Sequence, residues 1–398
     1  MNIKCIQCKG RNLCHRPVCP IISKISSQKK VNLTSKQDFF GEAPNIFVGK
    51  YGYPDVNVGI LGVENYVDND APLLWSKENY QIDNIVDLRS SLVNSRFGAN
   101  VKSFDNKFLE MSQEISMASK PVDVEINLQK RPQFNVSFNQ DIMPHGPSVE
   151  LKKAMLTENP KIPTKVDSIV SQTDLKSVEA LETLYDKKFD EHYLTRLLSV
   201  GNLGVKTQRR LVPTRWSITA VDDTLGKHLI SDVKKHAECD YAAYFGGYLG
   251  NYYLILFFPD IWEYELFETP VVEGNTGFTT DHETYAGRTK YAFSTAGGYY
   301  AARIAVLEGL NAIKRQGACL CLRFITDEYW APLGVWVVRE ASRNSMKSKP
   351  LMFGSEELMM TYAKNLVKKK FGYDLDNILK VSKLIKERKS QKKLSKFL

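Results

Sequence analysis

Histidine and cysteine are scarce, six and seven in 398 residues, and four of the cysteines crowd into the first nineteen positions. The other three, Cys239, Cys319 and Cys321, sit in apolar, strand-like context and read as core thiols. This usage excludes a disulfide-stapled secreted fold. Long apolar runs are missing too. The longest, around Tyr252 to Phe258, falls far short of the ~20 residues that span a bilayer, so no membrane helix is expected. The opening residues carry charge and cysteine without an apolar stretch behind them, which excludes a secretory leader. A cytoplasmic chain, nucleoid-associated if its partner is DNA, is the expectation. Familiar catalytic signatures are also absent: there is no H-E-x-x-H, G-x-S-x-G or G-x-G-x-x-G. The pair Gly226–Lys227 is followed by His228 and preceded by Val221, where a Walker A loop needs glycine.

Acidic residues are missing from positions 1–36, which carry eight lysines and arginines and a local charge of +8. Positions 380–398 hold eight cations against Glu387 alone, a local charge of +7. The whole chain is +9, so the residues between sum to −6. A mildly acidic body has two basic ends. They read either as solubilising extensions or as devices for a polyanionic partner, DNA above all. With 43% hydrophobic and 25% charged residues the body is globular.

Cys5, Cys8, Cys14 and Cys19 fall in CIQCKGRNLCHRPVC with the spacing C-x2-C-x5-C-x4-C. Two thiolates from one tight turn reach the same ion, and the second pair completes a tetrahedral S4 set, the chemistry of Zn2+. Lys9, Arg11 and Arg16 favour the thiolate forms. So short a segment buries no core, and metal would supply roughly 10–16 kcal/mol of its folding energy. The alternatives are an iron–sulfur cluster and unrelated thiols. As a zinc-finger element it reads as a DNA contact or as a staple for the N-terminus.

The chain finishes QKKLSKFL. Gln391, Leu394, Phe397 and Leu398 fall at i, i+3, i+6 and i+7, which in a short helical turn makes an apolar plug edged by Gln391. Large apolar residues are out of place at the end of a solvated lysine-rich tail. The pattern resembles the PIP motif by which replication and repair proteins bind the sliding clamp PCNA, Gln-x-x-aliphatic-x-x-aromatic-aromatic, and departs from it at Leu398. A fortuitous tail is the alternative.

Along the body, residues 21–50 read as a basic linker and turn-rich entry, Val56 to Val63 as a strand, 81–117 as helical with a break at Gly98, and 121–129 as a strand. Ser148 to Leu156 reads as a capped helix and Asp174 to Val200 as helix. Residues 239–267 read as two or three antiparallel strands joined by Gly246–Gly247 and Asn251. Ala296 to Gln316 reads as helix, Ala318 to Ile325 and Gly334 to Arg339 as strands, and 355–370 and 376–390 as helices. The class is α+β, a mixed α/β body with a mixed sheet. The expected domains are a C4 zinc motif at 1–22, a body at 23–379 with a possible division near 273–290, and a basic helical or flexible tail at 380–398.

Candidate chemistry lies in two polar segments. In 204–228, Arg209, Arg210 and Arg215 suit phosphate, and Asp222 and Asp223 suit a divalent ion. In 274–298, Asp281, His282, Glu283 and Arg288 accompany Gly297–Gly298, whose N–H groups at a helix start suit an anion. Thr326, Asp327 and Glu328 form a third group. Together they read either as a metal-dependent site acting on DNA or a nucleotide, with His282 as acid or base, or as surface pairs.

The four-cysteine N-terminus, the segments FVGKYGYPDVNVGILG and LVPTRWSITAVDDTLG, and the terminal QKKLSKFL together resemble the archaeal Nre DNA repair family across essentially the whole chain. The resemblance implies a C4 zinc motif at Cys5, Cys8, Cys14 and Cys19, a clamp-interacting peptide at Gln391, Leu394, Phe397 and Leu398, and a role in repair of DNA damage. It supplies no reaction for the body. The leading expectation is a repair factor recruited to PCNA by its C-terminal peptide, with the zinc motif and basic ends on DNA. A metal-dependent enzyme using Arg215, Asp222, Asp223, Asp281, His282 and Glu283, and a non-catalytic repair scaffold, are the alternatives.

Overall fold

A computed structural model describes residues 8, 19, 22–23, 25–26, 36–133, 145–271 and 277–390. The α+β class is as expected, and the chain forms two compact units, Met1–Leu225 with Trp330–Leu333, and Gly226–Tyr329 with Gly334–Leu398. Among the described residues no helix is long and apolar enough to cross a membrane.

In the first unit, strands β1 (Asp38–Val48), β2 (Asp55–Val63), β3 (Val93–Asn100), β4 (Val122–Leu128) and β5 (Ser148–Leu156) close into a barrel in the order β1-β2-β3-β5-β4. Helices α1 (Pro72–Lys77) and α2 (Ile82–Ser91) join β2 to β3, and α3 (Lys107–Met117) joins β3 to β4. Period-two alternation builds the interior. Val122, Val124, Ile126 and Leu128 point inward from β4, Val56, Val58 and Ile60 from β2, and Leu109 and Ile115 of α3 join the same core. Every ladder is antiparallel except that of β3 with β5. This closure, with a helix between β3 and β4, is the connectivity of the five-stranded Greek-key OB barrel.

Three local expectations change here. Asp38–Val48 is a strand rather than a turn-rich entry, and Val93–Asn100 leaves the helical reading to pair with β2. Ser148–Leu156 is β5, not a helix, because ladders to β3 and β4 satisfy its backbone and bury Val149 and Leu151. Helices α4 (Thr164–Ser171), α5 (Ser177–Asp186) and α6 (Glu191–Ser199) follow, the last two separated at Lys188, where φ is +70°. The half-buried Arg196 of α6 donates to the carbonyls of Pro44, at 3.0 Å, and Ala118, fastening that helix to the barrel. Helix α7 (Thr214–Val233) spans the junction between the units.

The second unit is built on β7 (Tyr241–Tyr248), β8 (Asn251–Phe258), β9 (Glu263–Pro270), β10 (Thr279–Glu283), β12 (Ala318–Ile325) and β13 (Leu351–Phe353), in the order β10-β9-β12-β8-β7-β13. The short strands β6 (Ala237–Glu238) and β11 (Arg315–Gln316) pair separately. Helices α8 (Gly297–Ile313) and α9 (Val335–Met346) pack on the sheet, as do α10 (Glu356–Phe371) and α12 (Lys383–Ser390), with α11 (Asp376–Leu379) between the last two. Leu254, Leu256, Phe258, Leu320, Leu322 and Phe324 face Met359, Ala363, Val367, Leu384 and Ile385. Tyr253, Ile255, Phe257, Cys319 and Cys321 alternate to the other side and are also buried. A sheet covered on both faces accounts for the near-continuous apolar runs in β8 and β12.

The β7–β8 turn is Leu249–Gly250, both at positive φ. Gly246 lies within β7 instead, where a Cβ would come 2.8 Å from Ser345 Cα of α9. The β-branched run after Gly334, expected as a strand, is helix α9. It buries Trp336, Val337, Val338 and Ala341, so tertiary packing overrides propensity. Past position 379 the basic segment continues as a packed helix to Ser390.

Candidate nucleic-acid interface

The β1–β2 connection, residues 49–54, reads GKYGYP. Gly52, at φ +83°, makes the turn, and Asp55 N–H donates to its carbonyl at 2.9 Å. The loop presents Tyr51, 80% exposed, and Tyr53, 47% exposed, with Lys50 Nζ 5.1 Å from the centre of the Tyr51 ring. Trp216, 46% exposed, comes from the first turn of α7 and lies against Tyr53 with ring centres 5.3 Å apart. The start of that helix is held to the barrel because Val48 N–H donates to Thr214 Oγ1 at 2.8 Å. The adjacent Arg215 is exposed.

Below this corner run the outer faces of β2 and β3. Asn57 is exposed, and Asn94 lies over Gly59, where a Cβ would sit 1.6 Å from Asn94 Oδ1. Asn94 Nδ2 donates to Ser148 Oγ at 3.3 Å. Asn94 Oδ1 and Arg96 Nε are buried with no hydrogen-bond partner among the described residues. No described atom lies within 4 Å of the space where Gly98 would carry a Cβ. The acids here are Asp55, which accepts from Asn100 Nδ2 at 2.7 Å, and Glu150, the ladder neighbour of Arg96.

The polar segments singled out in the sequence fall in both units. Arg209 donates to the carbonyls of Gly204, Val170 and Gln172 at 2.8, 2.7 and 3.0 Å, and burial lowers its pKa; it fastens a loop rather than offering a phosphate contact. Arg210 is exposed. Asp222 and Asp223 lie within α7, the first fully buried and the second half-buried, about 10 Å along the helix from Arg215 at 1.5 Å per residue.

In the second unit, β10 carries Asp281, His282 and Glu283, and strand alternation parts them. Asp281 accepts from Thr295 N–H, Thr295 Oγ1 and Arg288 at 2.9, 3.0 and 3.1 Å. Glu283 is buried against Arg303 at 2.8 Å and Trp262 Nε1 at 3.2 Å. His282 bonds Glu263 at 2.6 Å, and Glu387 of α12 completes a group whose ligand atoms all lie within 4.8 Å of one another. Among the described residues, those three are close enough together to hold a cation. The expected anion site at Gly297–Gly298 is filled by the chain itself, since a Cβ on Gly298 would lie 2.5 Å from Glu268 Oε1. Glu328 accepts from the Tyr252 hydroxyl at 2.9 Å.

Burial raises the thiol pKa of Cys239 to about 12 and raises those of Cys319 and Cys321, consistent with unreactive core cysteines. Cys8 is buried and Cys19 half-buried; Cys5 and Cys14 lie outside the described residues, as do Gln391, Leu394, Phe397 and Leu398.

A family model for the N-terminal part of archaeal Nre matches residues 13–273, and one for the C-terminal part matches residues 283–397. The chain belongs to the archaeal Nre family. Among Nre proteins, it is 34% identical to DNA repair protein NreB of Archaeoglobus fulgidus over 99% of this chain and all of that one. It is 36% identical to DNA repair protein NreA of the same organism, over 93% and 95% of the two chains. It is 38% identical to DNA repair protein NreA of Haloferax volcanii, over 78% of each. No solved structure matches. The two Nre models meet between residues 273 and 283, whereas the compact units part at Leu225 and Gly226.

The aromatic corner was not singled out as a site in the sequence. Its signal was there: two tyrosines and a lysine in a Gly- and Pro-bearing loop, where aromatic side chains have no core to enter. Trp216 carried no such signal, because its place beside Tyr53 depends on the fold.

Proposed function

We propose that this Nre protein is a DNA-damage repair factor recruited to PCNA through Gln391, Leu394, Phe397 and Leu398, with the zinc motif and basic ends on DNA. The observation that carries the reading is the match, over nearly the whole chain, to relatives named DNA repair proteins. The path into the C-terminus supports it. Helix α12 is pinned by Glu265, which accepts from Ser382 Oγ, from Lys383 N–H at 2.9 Å and from Leu384 N–H at 3.1 Å, and it buries Leu384 and Ile385. Lys380, Lys383, Lys386 and Lys389 recur every third residue and are all exposed. A lysine row therefore leads directly into the clamp peptide, and such a row suits the phosphate backbone.

The four N-terminal cysteines, Cys5, Cys8, Cys14 and Cys19, offer a donor set suited to Zn2+. Zinc there would order the +8 segment rather than take part in a reaction. Tethering raises the local concentration of the body at DNA without requiring a new contact. The test is calorimetry with PCNA. Deleting residues 391–398 should abolish binding while the thermal transition of the body stays in place; unchanged affinity refutes the reading.

A further inference from the structure

We propose that Tyr51, Tyr53 and Trp216, with Lys50, Arg215 and the outer face of β2 and β3, form a single-stranded DNA-binding site on the barrel, separate from the basic ends. Three observations converge. The first is connectivity: the five strands close as in OB barrels, whose strand 2–3 face and β1–β2 loop are where such folds hold oligonucleotides. Connectivity alone does not assign function.

The second is the corner itself. Tyr53 and Trp216, from two distant parts of the sequence, are exposed with ring centres 5.3 Å apart, Tyr51 is exposed in the same loop as Tyr53, and specific hydrogen bonds hold both supports, Val48 N–H to Thr214 and Asp55 N–H to Gly52. Exposed rings flanked by Lys50 and Arg215 match the requirements of a single strand, with π faces for unstacked bases and cations for its phosphates. Paired duplex bases cannot reach such faces.

The third is that Asn94 Oδ1 and Arg96 Nε, on the same face, have no hydrogen-bond partner among the described residues. Gly59 stands opposite Arg96, four residues along β2 from Asp55 at the loop end. At 3.3 Å per residue that is about 13 Å, the reach of two or three extended nucleotides. Gly98 leaves this surface low.

The choice of DNA over RNA rests on the repair reading of the family; the single-strand chemistry rests on the barrel. The experiment uses the full-length protein, a fluorescein-labelled dT15, a duplex of the same length and rU15, followed by anisotropy and by tryptophan emission. The wild type should bind dT15 more tightly than duplex and lose tryptophan emission on binding. Y51A/W216A should lose on the order of 10- to 100-fold in dT15 affinity, taking ~1–3 kcal/mol per stacked base with partial loss. R96Q should lose less, and Y51F/W216F should retain most of the affinity. PCNA binding should stay unchanged in all of them, which separates a failure of this site from a failure of clamp recruitment. Equal dT15 affinity in wild type and Y51A/W216A overturns the site. A preference for duplex overturns single-strand recognition, and tighter binding of rU15 than dT15 overturns the choice of DNA.

Discussion

Replacing Glu265 by alanine should free helix α12 from the sheet without unfolding the second unit. The carboxylate is buried and accepts three hydrogen bonds at the start of that helix, from Ser382 Oγ and the N–H groups of Lys383 and Leu384. At about 1 kcal/mol for each bond the loss is ~3 kcal/mol, with the favourable placement of negative charge at a helix N-terminus in the same range. What remains is the burial of Leu384 and Ile385, worth roughly 1.5–3 kcal/mol each before the entropy of ordering the segment is subtracted, and the ion pairs of Arg388 with Asp260 and Glu356 at 2.8 and 3.2 Å. Docking of the first turn weakens. Hydrogen exchange read by mass spectrometry should show amides 383–390 opening on the order of 100-fold more often, while β8 and β12 keep their protection. PCNA affinity should hold within about twofold, because the clamp peptide itself is intact. Unchanged exchange in 383–390, or equal loss of protection across the sheet, would refute the claim that Glu265 specifically holds this helix.

Three further outcomes follow from the same contacts. Glu283→Ala removes the carboxylate 2.8 Å from the buried Arg303 and should cost up to about 3–5 kcal/mol in urea unfolding; a cost under 1 kcal/mol would show the pair to be solvated. Cys239 holds its proton up to a pKa of about 12, against an ordinary thiol near 9, because burial disfavours the thiolate. The native state then keeps a proton that the unfolded chain releases. Stability from this group is full below pH 9 and falls as pH rises towards 12, by at most ~1.4 kcal/mol per pH unit, and Cys239→Ala should shallow that decline in alkaline denaturation. Elemental analysis of the wild type should find about one zinc per chain, and Cys5→Ser/Cys8→Ser should remove it; iron absorbance or no metal in the wild type contradicts the zinc reading.

Local pattern made some elements legible and hid others. Alternation in VNVGILGV and PVDVEINLQ marked β2 and β4, and the aromatic run through Tyr252–Phe258 marked a buried strand. Ser148–Leu156 misled because a serine start and mixed apolar spacing imitate a capped helix, while its conformation is decided by partners about fifty and about thirty residues before it. Gly334 to Arg339 misled in the opposite sense: its valines pack as a helix face. Charge counting found the basic C-terminus. That its lysines form one exposed row follows only from the burial of Leu384 and Ile385 on the other side of α12. Asp281, His282 and Glu283 looked like one cluster because they are adjacent, yet adjacency in a strand sends neighbours to opposite faces.

We propose that one chain holds PCNA and DNA at the same time through different parts of itself. Sedimentation velocity of fluorescein-labelled dT15 with the full-length protein and PCNA tests it directly. The label should move in a single faster boundary containing all three components, and deletion of residues 391–398 should return it to the boundary of protein and DNA alone. Displacement of dT15 by PCNA, or a labelled boundary that ignores PCNA, would contradict it.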